Sequence, residues 1–360
     1  MSDEKGLSET AAEAPPEASR VVIVPFAELA ERSAAALREA GADEPSVEAT
    51  TRAVMHASLL GIDSHGVRLI PHYCKVLRGG RVNGRPKLAV TRTAPAAAMI
   101  DADDALGHLP SYRAVELAAE IAAETGIAAV GVRRSSHYGA AGAYALAGAE
   151  LGFFTFSTTN ADSLVALFGS AGPFHGTNPL AFAAPVAEGR PWLFDMATSS
   201  VPLNRVYLYR ILDKGLPDDV AADEHGQPVT DPHAVRMLLP LGAAFGFKGA
   251  GLAGVATILA AAITGGALDH EMLSMTRGED LSTPRNLGHF FFAIDPERFA
   301  GREAYNAAMR SYLTALRAVP PAGDDPVMAP GDREWKVADI RLRDGIPVDV
   351  ETAEFLGLRR

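Results

Sequence analysis

The chain has 360 residues, 48 % hydrophobic and 21 % charged, which excludes a disordered or fibrous protein and allows a large buried core. Its formal net charge of −11 excludes the positive footprint that a nucleic-acid backbone requires. A single cysteine, Cys74, excludes an intrachain disulfide and fits a reducing compartment, so a cytoplasmic protein is expected.

Residues 1–20 are acidic, rich in Pro, Ala and Glu, and lack the apolar run of a secretory signal; a disordered tail is expected there. Apolar residues at helical spacing predict a helix capped by Ser46 and ended by Gly61. "IDSHG" (62–66) is a turn. A second helix starts near Leu69 or Ile70, because Pro71 is tolerated only in a first turn, and stops at Gly79 and Gly80. A strand at 96–103, a helix at 111–126 and a strand at 127–135 follow. A helix is then expected over 139–152, with His137 at its start, and a strand over 153–160. Two more strands, 178–186 and 191–198, flank the turn "AEGR". The stretch from Val201 to Leu241 is polar and punctuated by Pro, Gly and Asp, and reads as a long surface excursion. Gly249–Leu268 is uncharged and about long enough to span a bilayer. It is built mostly of Gly and Ala and has no flanking Trp or Tyr, so a buried helix is expected and no membrane partner. A strand at 289–296 and a long helix at 302–318 complete the pattern. Alternating strands and helices define an α/β protein.

"GAGLAG" places Gly249, Gly251 and Gly254 in dinucleotide-fingerprint spacing, with Asp269 beyond. That motif works only after a buried strand, and "LPLGAAFGFK" is too broken to be one, so these glycines read as helix-packing positions. No G-x-S-x-G elbow occurs. The ten histidines are dispersed, without H-x-x-x-H or paired cysteines, so no metal site is expected. His65 has Ser64 before it and Arg68 three residues on; hydroxyl, imidazole and planar guanidinium can converge there on a carboxylate. His137, at a helix N-terminus, would be kept neutral by the helix dipole and suit proton transfer near neutral pH. Either histidine is also compatible with an ordinary capping or solvated role. Asp195 in "FDMATSS" sits at a strand end, where open α/β sheets bind ligands. Lys248, the only charge in its neighbourhood, is either a solvent anchor or a ligand for phosphate or carboxylate.

Taken in order, "GIDSHGVRLIPHY", "VRRSSHYGAAGAYA", "TTNAD", "GTNPLAFAAP", "FDMATSS", "LPLG…FKGAGLA" and "GHFFFAIDP" resemble the malate/L-lactate dehydrogenase type 2 family. That family includes sulfolactate and ureidoglycolate dehydrogenases, diketogulonate reductase and piperideine-2-carboxylate reductase. The resemblance runs from Phe26 to the C-terminus. It implies a non-Rossmann α/β fold: a mixed-sheet NAD(P)-binding domain over 96–299, and a helical substrate and dimer part built from 21–95 and 300–360. It also implies a homodimer and an NAD- or NADP-dependent oxidoreductase acting on a small carboxylate. The substrate would be a 2-hydroxy or 2-oxo acid of malate or lactate type; a cyclic 2-carboxylate imine is the alternative, and a non-catalytic binding protein on the same fold is a third reading.

Carried over, His65 and His137 match the two histidines proposed to move the proton, with His137 favoured, and Arg68 matches the substrate-carboxylate arginine. Ser64 and Asn178, of the Gly-Thr-Asn-Pro turn, are placed on the substrate side. Asn160 and Ala161 occupy a cofactor stretch in which Ala161 replaces the usual serine. Asp195, Met196 and Ala197 match a second cofactor run, Lys248 a lysine turn, and Pro330, Gly331 and Asp332 a late Pro-Gly turn that touches the cofactor. "VPLNRV" after "FDMATSS" and the lengthened "LGAAFGFKG" depart from the family pattern, which bears on substrate and cofactor preference.

Overall fold

A computed structural model describes residues 21–358 except 276–277, leaving aside the side chain of Ile211. The tail expected over 1–20 lies outside the described residues. The chain opens with β1 (Val21–Val24), α1 (Phe26–Glu39) and α2 (Glu44–Leu59). Helix α2 starts before Ser46 because Asp43 is its cap: the Asp43 carboxylate accepts the Ser46 amide at 3.0 Å. Two 3-10 turns, Asp63–His65 and Val67–Leu69, lead into α3 (Ile70–Arg78), with Pro71 in its first turn as expected.

Next come β2 (Ala89–Ala94), β3 (Ala97–Asp101), α4 (His108–Thr125), β4 (Ile127–Ser135), α5 (Gly142–Glu150) and β5 (Phe154–Thr159). The expectation that His137 opens a helix fails. Gly139 takes φ +77°, a left-handed conformation that breaks a helix, and α5 begins only at Gly142. Then follow β6 (Val165–Ala166), β7 (Pro173–His175), β8 (Leu180–Ala184), β9 (Trp192–Met196), α6 (Leu203–Ile211), β10 (Ala221–Ala222), β11 (Met237–Leu238) and α7 (Phe247–Thr257), which runs into a π-helical turn at Ile258–Ala262. The chain ends with β12 (Leu287–Ile294), α8 (Arg302–Arg317), α9 (Asp332–Asp344), β13 (Ile346–Asp349) and α10 (Val350–Phe355).

Seven strands form one mixed sheet in the order β2-β3-β4-β12-β5-β8-β9, in which β3–β4 is the parallel pair and the other neighbours are antiparallel. Helices α4 and α5 cover one face through Val115, Ile121, Tyr144 and Leu146, and α7 with its π turn lies on the other. The glycines of "GAGLAG" lie inside α7, and a 3-10 turn at Ala243–Phe245, not a strand, leads into it.

The expected surface excursion is instead a small module. β10, β11, β6 and β7 make a four-stranded sheet, and α6 packs on it around Val165, Val206, Val220 and Leu238. Its two-residue strands are too short for hydrophobic alternation to show. The first and last described strands, β1 and β13, pair antiparallel over a core of Leu29, Leu37, Val54, Ile70, Tyr73 and Ile346. The boundary expected at 95/96 cuts the β2–β3 hairpin. Helix α8 leaves the helical end and docks beside the large sheet, where Tyr305 donates to the Pro185 carbonyl at 3.1 Å and Arg302 to that of Gly152 at 2.6 Å. The Gly/Ala helix is buried on one face only: Gly249, Ala253 and Ala256 point inward, while Leu252, Val255, Ile258 and Ile263 are exposed. Among the described residues no helix is long and apolar enough to cross a membrane.

Candidate active site

Two turns meet beside α3. The first carries Ser64 and His65. The second is the extended run 136–140 after β4, which carries His137. The imidazoles of His65 and His137 stack with centroids 5.9 Å apart and planes inclined by 23°. Each has one ring nitrogen fixed: Ser64 Oγ lies 2.8 Å from His65 Nδ1, and Tyr73 Oη 2.9 Å from His137 Nδ1. The Nε2 atoms have no partner among the described residues and are not sealed from solvent. Close backbone packing makes the meeting possible. A Cβ on Gly66 would fall 2.1 Å from Ser58 Oγ, the atom that accepts the Val67 amide, and one on Gly107 would fall 2.3 Å from the Ser136 carbonyl oxygen.

Burial sets the protonation states. It pushes His65 down to about 4 and raises the Tyr73 phenol, which stays protonated. His137 lies well below its ordinary value through burial first, then through the charges of His65, His72, His108 and Arg285. Among the described residues no carboxylate hydrogen-bonds His137; its orienting partner is a neutral phenol, reached from α3. A hydroxyl both donates and accepts, so Tyr73 serves either tautomer: it leaves Nε2 as a base when Nδ1 carries the proton, and as a donor when it does not. Tyr73 was not singled out from the sequence, because a tyrosine on the buried face of a helix carries no spacing signal. A step further in, His108 meets the Tyr73 ring edge-on at 4.8 Å and holds Thr50 Oγ1 at 3.2 Å.

Residues expected to hold a cofactor fall into separate groups. Asn160, at the end of β5, is wholly buried; its Nδ2 donates to the Ala267 carbonyl at 2.8 Å and to Asp269 Oδ1 at 2.9 Å. Its Oδ1 is buried with no partner. Ala161 is tied through its amide, which donates to Asn178 Oδ1 at 3.0 Å. Asn178 is wholly buried and spends its Nδ2 on Asp269 at 2.7 Å and Thr257 at 3.0 Å, so its amide braces the turn instead of facing a substrate. Asp269 is the hub. It also receives the Gly176 amide and the hydroxyl of Thr257, both at 3.0 Å, with His175 Nδ1 at 3.2 Å. Those hydrogen bonds hold its carboxyl below the ordinary range against the opposing effect of burial.

Asp195, the penultimate residue of β9, accepts the Gly142 amide at 2.7 Å, so a carboxylate, not His137, occupies the N-terminus of α5. Burial raises this carboxyl to about 6, opposed by the Gly142 amide and assisted by Glu334. Met196 and Ala197 follow, half-buried. Lys248 is exposed, with its ammonium 5.2 Å from the Phe245 ring centroid. Pro330 accepts the Leu193 amide at 3.3 Å, so the 330–332 turn lies against β9; Gly331 takes φ +95° there, and Asp332 is bound by Arg317 at 2.7 Å. Arg68 is exposed and without a partner among the described residues. The structure thus joins Ser64, His65, Tyr73 and His137 directly, and Asn160, Ala161 and Asn178 directly. Among the described residues no hydrogen bond or ion pair joins Lys248 or the 330–332 turn to either group; their partners are Phe245, Leu193 and Arg317. Among the described residues no set of three His, Cys, Asp or Glu could hold a metal ion.

The sequence profile of a family described as malate/L-lactate dehydrogenase matches residues 24–357. A malate dehydrogenase of Pyrococcus abyssi is 33 % identical over 335 residues, covering 91 % of each chain. A Delta(1)-pyrroline-2-carboxylate/Delta(1)-piperideine-2-carboxylate reductase of Pseudomonas putida is 31 % identical, over 96 % of this chain and 98 % of its own. The solved structure of a sulfolactate dehydrogenase from Methanocaldococcus jannaschii superposes with a TM-score of 0.86 at 28 % identity, covering 94 % of this chain and 98 % of its own.

Proposed function

Because the chain belongs to the malate/L-lactate dehydrogenase family, we propose that it is an NAD(P)-dependent oxidoreductase that interconverts small 2-hydroxy and 2-oxo carboxylates. The observation that carries this reading is the pair of neutral, stacked histidines, each fixed at Nδ1 and open at Nε2. Arg68 binds the substrate carboxylate through its planar fork. In oxidation His137 Nε2 accepts the hydroxyl proton; in reduction it returns a proton to the carbonyl oxygen. His65, held by Ser64, donates a hydrogen bond to the same oxygen and polarises it.

Bound nicotinamide supplies the hydride acceptor or donor. The orphaned Asn160 Oδ1 fits such a group, since a buried acceptor without a partner is costly until a ligand N–H meets it. Ala161, the Asp195–Ala197 run, Lys248 and the Pro330–Asp332 turn complete the cofactor set in this reading. The cofactor domain is of a non-Rossmann kind, supported by fingerprint-spaced glycines that lie inside a helix. The domain layout is a sheet domain with a helical part made from both chain ends, supported by the β1–β13 pairing. A homodimer is supported by the exposed apolar side chains of α7 and its π turn, Leu252, Val255 and Ile258. A cytoplasmic setting is supported by the lone, buried Cys74 thiol.

The test is purified protein with NADH or NADPH against pyruvate, oxaloacetate and piperideine-2-carboxylate. Oxidation of either coenzyme with an oxo acid is expected. Turnover with the imine alone would establish the second reading, an imine reductase, which the Pseudomonas putida relative favours. No turnover with any of the three would leave a binding protein.

A further inference from the structure

The two imidazoles of the site arrive from different parts of the fold. His137 follows β4 of the large sheet, and His65 follows α2 of the helical end. Their 5.9 Å stack holds only while those parts keep one register. The Asp63–His65 turn has little of its own to fix it. It is a single 3-10 turn, closed by the His65 amide on the Ile62 carbonyl at 2.9 Å and the Gly66 amide on that of Asp63 at 3.3 Å.

Helix α9 is fastened to both parts. Toward the sheet, the Pro330 carbonyl ahead of it accepts the Leu193 amide of β9, and the Trp335 indole donates to the Pro191 carbonyl at 3.0 Å. Asp339 accepts from Arg190 at 2.6 Å, and Ala338 is buried in the core that α4 and α5 share with the sheet. Toward the helical end, Val337 closes on Gly61, where a Cβ would fall 3.1 Å from Val337 Cγ1. Arg341 reaches the turn itself. Its guanidinium donates to both carboxylate oxygens of Asp63, Nη2 at 2.9 Å, and to the Ser58 carbonyl. Ser58 Oγ accepts the Val67 amide, so the chain is gripped on both sides of Ser64 and His65. The Arg341 side chain is only 12 % exposed, which shields the pair on one side. A planar fork on a carboxylate fixes orientation as well as distance.

We propose that Arg341 is a positioning residue: by clamping Asp63 it registers the Ser64–His65 turn against the sheet that carries His137. Among the described residues it hydrogen-bonds neither imidazole, so it acts on His65 through Asp63. Its effect on turnover rests on the oxidoreductase reading; its effect on the ring does not.

The experiment compares Arg341→Met, Arg341→Lys and Asp63→Asn with Val337→Ala, which loosens the same joint without touching Asp63. The His65 ring is titrated by NMR, assigned by its absence in His65→Gln. Turnover is read as kcat and KM with NADH or NADPH and the oxo acid or imine that the enzyme accepts. Burial alone holds His65 at about 4, so a released turn is expected to let the ring rise toward its ordinary 6.5 in Arg341→Met, and part of the way in Arg341→Lys. In Arg341→Met kcat should fall about ten- to a hundredfold while KM for the coenzyme stays within about threefold. Combining Arg341→Met with Asp63→Asn should cost no more than the worse single change. Val337→Ala should lose stability and leave both readouts in place. Asp63 is exposed, so Asp63→Asn carries the test if Arg341→Met does not fold. A His65 ring that titrates as in the wild type in these variants would overturn the proposal. So would a Val337→Ala protein that matches them in kcat per folded molecule, because Arg341 would then only anchor α9. Unchanged turnover in a variant whose ring moves would overturn it as well. If no substrate is turned over but the ring moves with Arg341, the clamp stands and the oxidoreductase reading falls.

Discussion

His289 and His137 are both drawn into the interior, but their rings are satisfied differently. His289, on β12, has Thr159 Oγ1 at 2.7 Å from Nδ1 and Ser135 Oγ at 2.8 Å from Nε2, and it stacks on Tyr138 at 4.6 Å. Its hydrogen bonds stitch β12 to β4 and β5, and no ring nitrogen is left over. His137 has one nitrogen fixed and one free. A saturated imidazole is a structural brace; a half-satisfied one, open on one side, is available to a reacting atom.

Substitution breaks the comparison most directly. His137→Ala should cost about 10²–10⁴-fold in kcat with little change in melting temperature, read by steady-state kinetics and calorimetry. His289→Ala should do the reverse, losing about 2–4 kcal/mol in denaturant unfolding while kcat per folded molecule stays within about tenfold. If both variants lose activity and keep their stability, the distinction between brace and reacting group collapses. Tyr73→Phe sharpens the point from behind the ring. It should lower kcat about tenfold and shift the acidic limb of the kcat/KM profile, since the phenol that serves both tautomers is gone.

A pH series treats the two settings together. His65, His72 and His289 titrate in the fold at about 4, 4 and 3, against an ordinary 6.5. The unfolded chain therefore binds more protons between those limits, and stability is lost as pH falls from about 6.5 toward 4. Asp195, raised to about 6 from 3.8, works the other way: its stabilising contribution is lost as pH rises through that interval. Three histidines against one carboxyl give a net loss on acidification, measurable by urea unfolding at pH 7.5, 6 and 4.5. The smallest effect expected is that of Ser64→Ala, about two- to fivefold in kcat, because His65 keeps its place and loses only the hydroxyl that fixes its tautomer.

Much of the large sheet was legible, because β4, β5, β8, β9 and β12 are long enough for pattern and punctuation to show. The small sheet was not, since two residues carry no period. Ser46 was read as a cap one turn too late; the side chain that caps α2 belongs to Asp43. His65 and His137 could each be singled out by their neighbours, but their stacking depends on a tertiary meeting across 72 positions of chain that no spacing rule reaches. The helix-dipole argument for His137 was wrong in its cause and right in its result: the ring is neutral because it is buried, and the dipole belongs to Asp195. Asn178 read as a turn residue and as a substrate ligand; the turn reading survives in the structure, where its amide is enclosed. Asp269 stood out only by its distance from a false fingerprint, although it organises five partners.

That hub makes a mechanical linkage. Asp269 grips Asn160 with one oxygen and Thr257, at the end of α7, with the other, and Asn178 spans the same gap by holding the Ala161 amide and the Ala253 carbonyl. The turn at Asn160 is therefore fastened to the helix as well as to the sheet. A helix that slid or rolled on the sheet would act as a lever with Asp269 as its fulcrum, carrying the lone acceptor of Asn160 with it. The exposed face of α7 at Val255 is thus joined, through Thr257 and Asp269, to the end of β5.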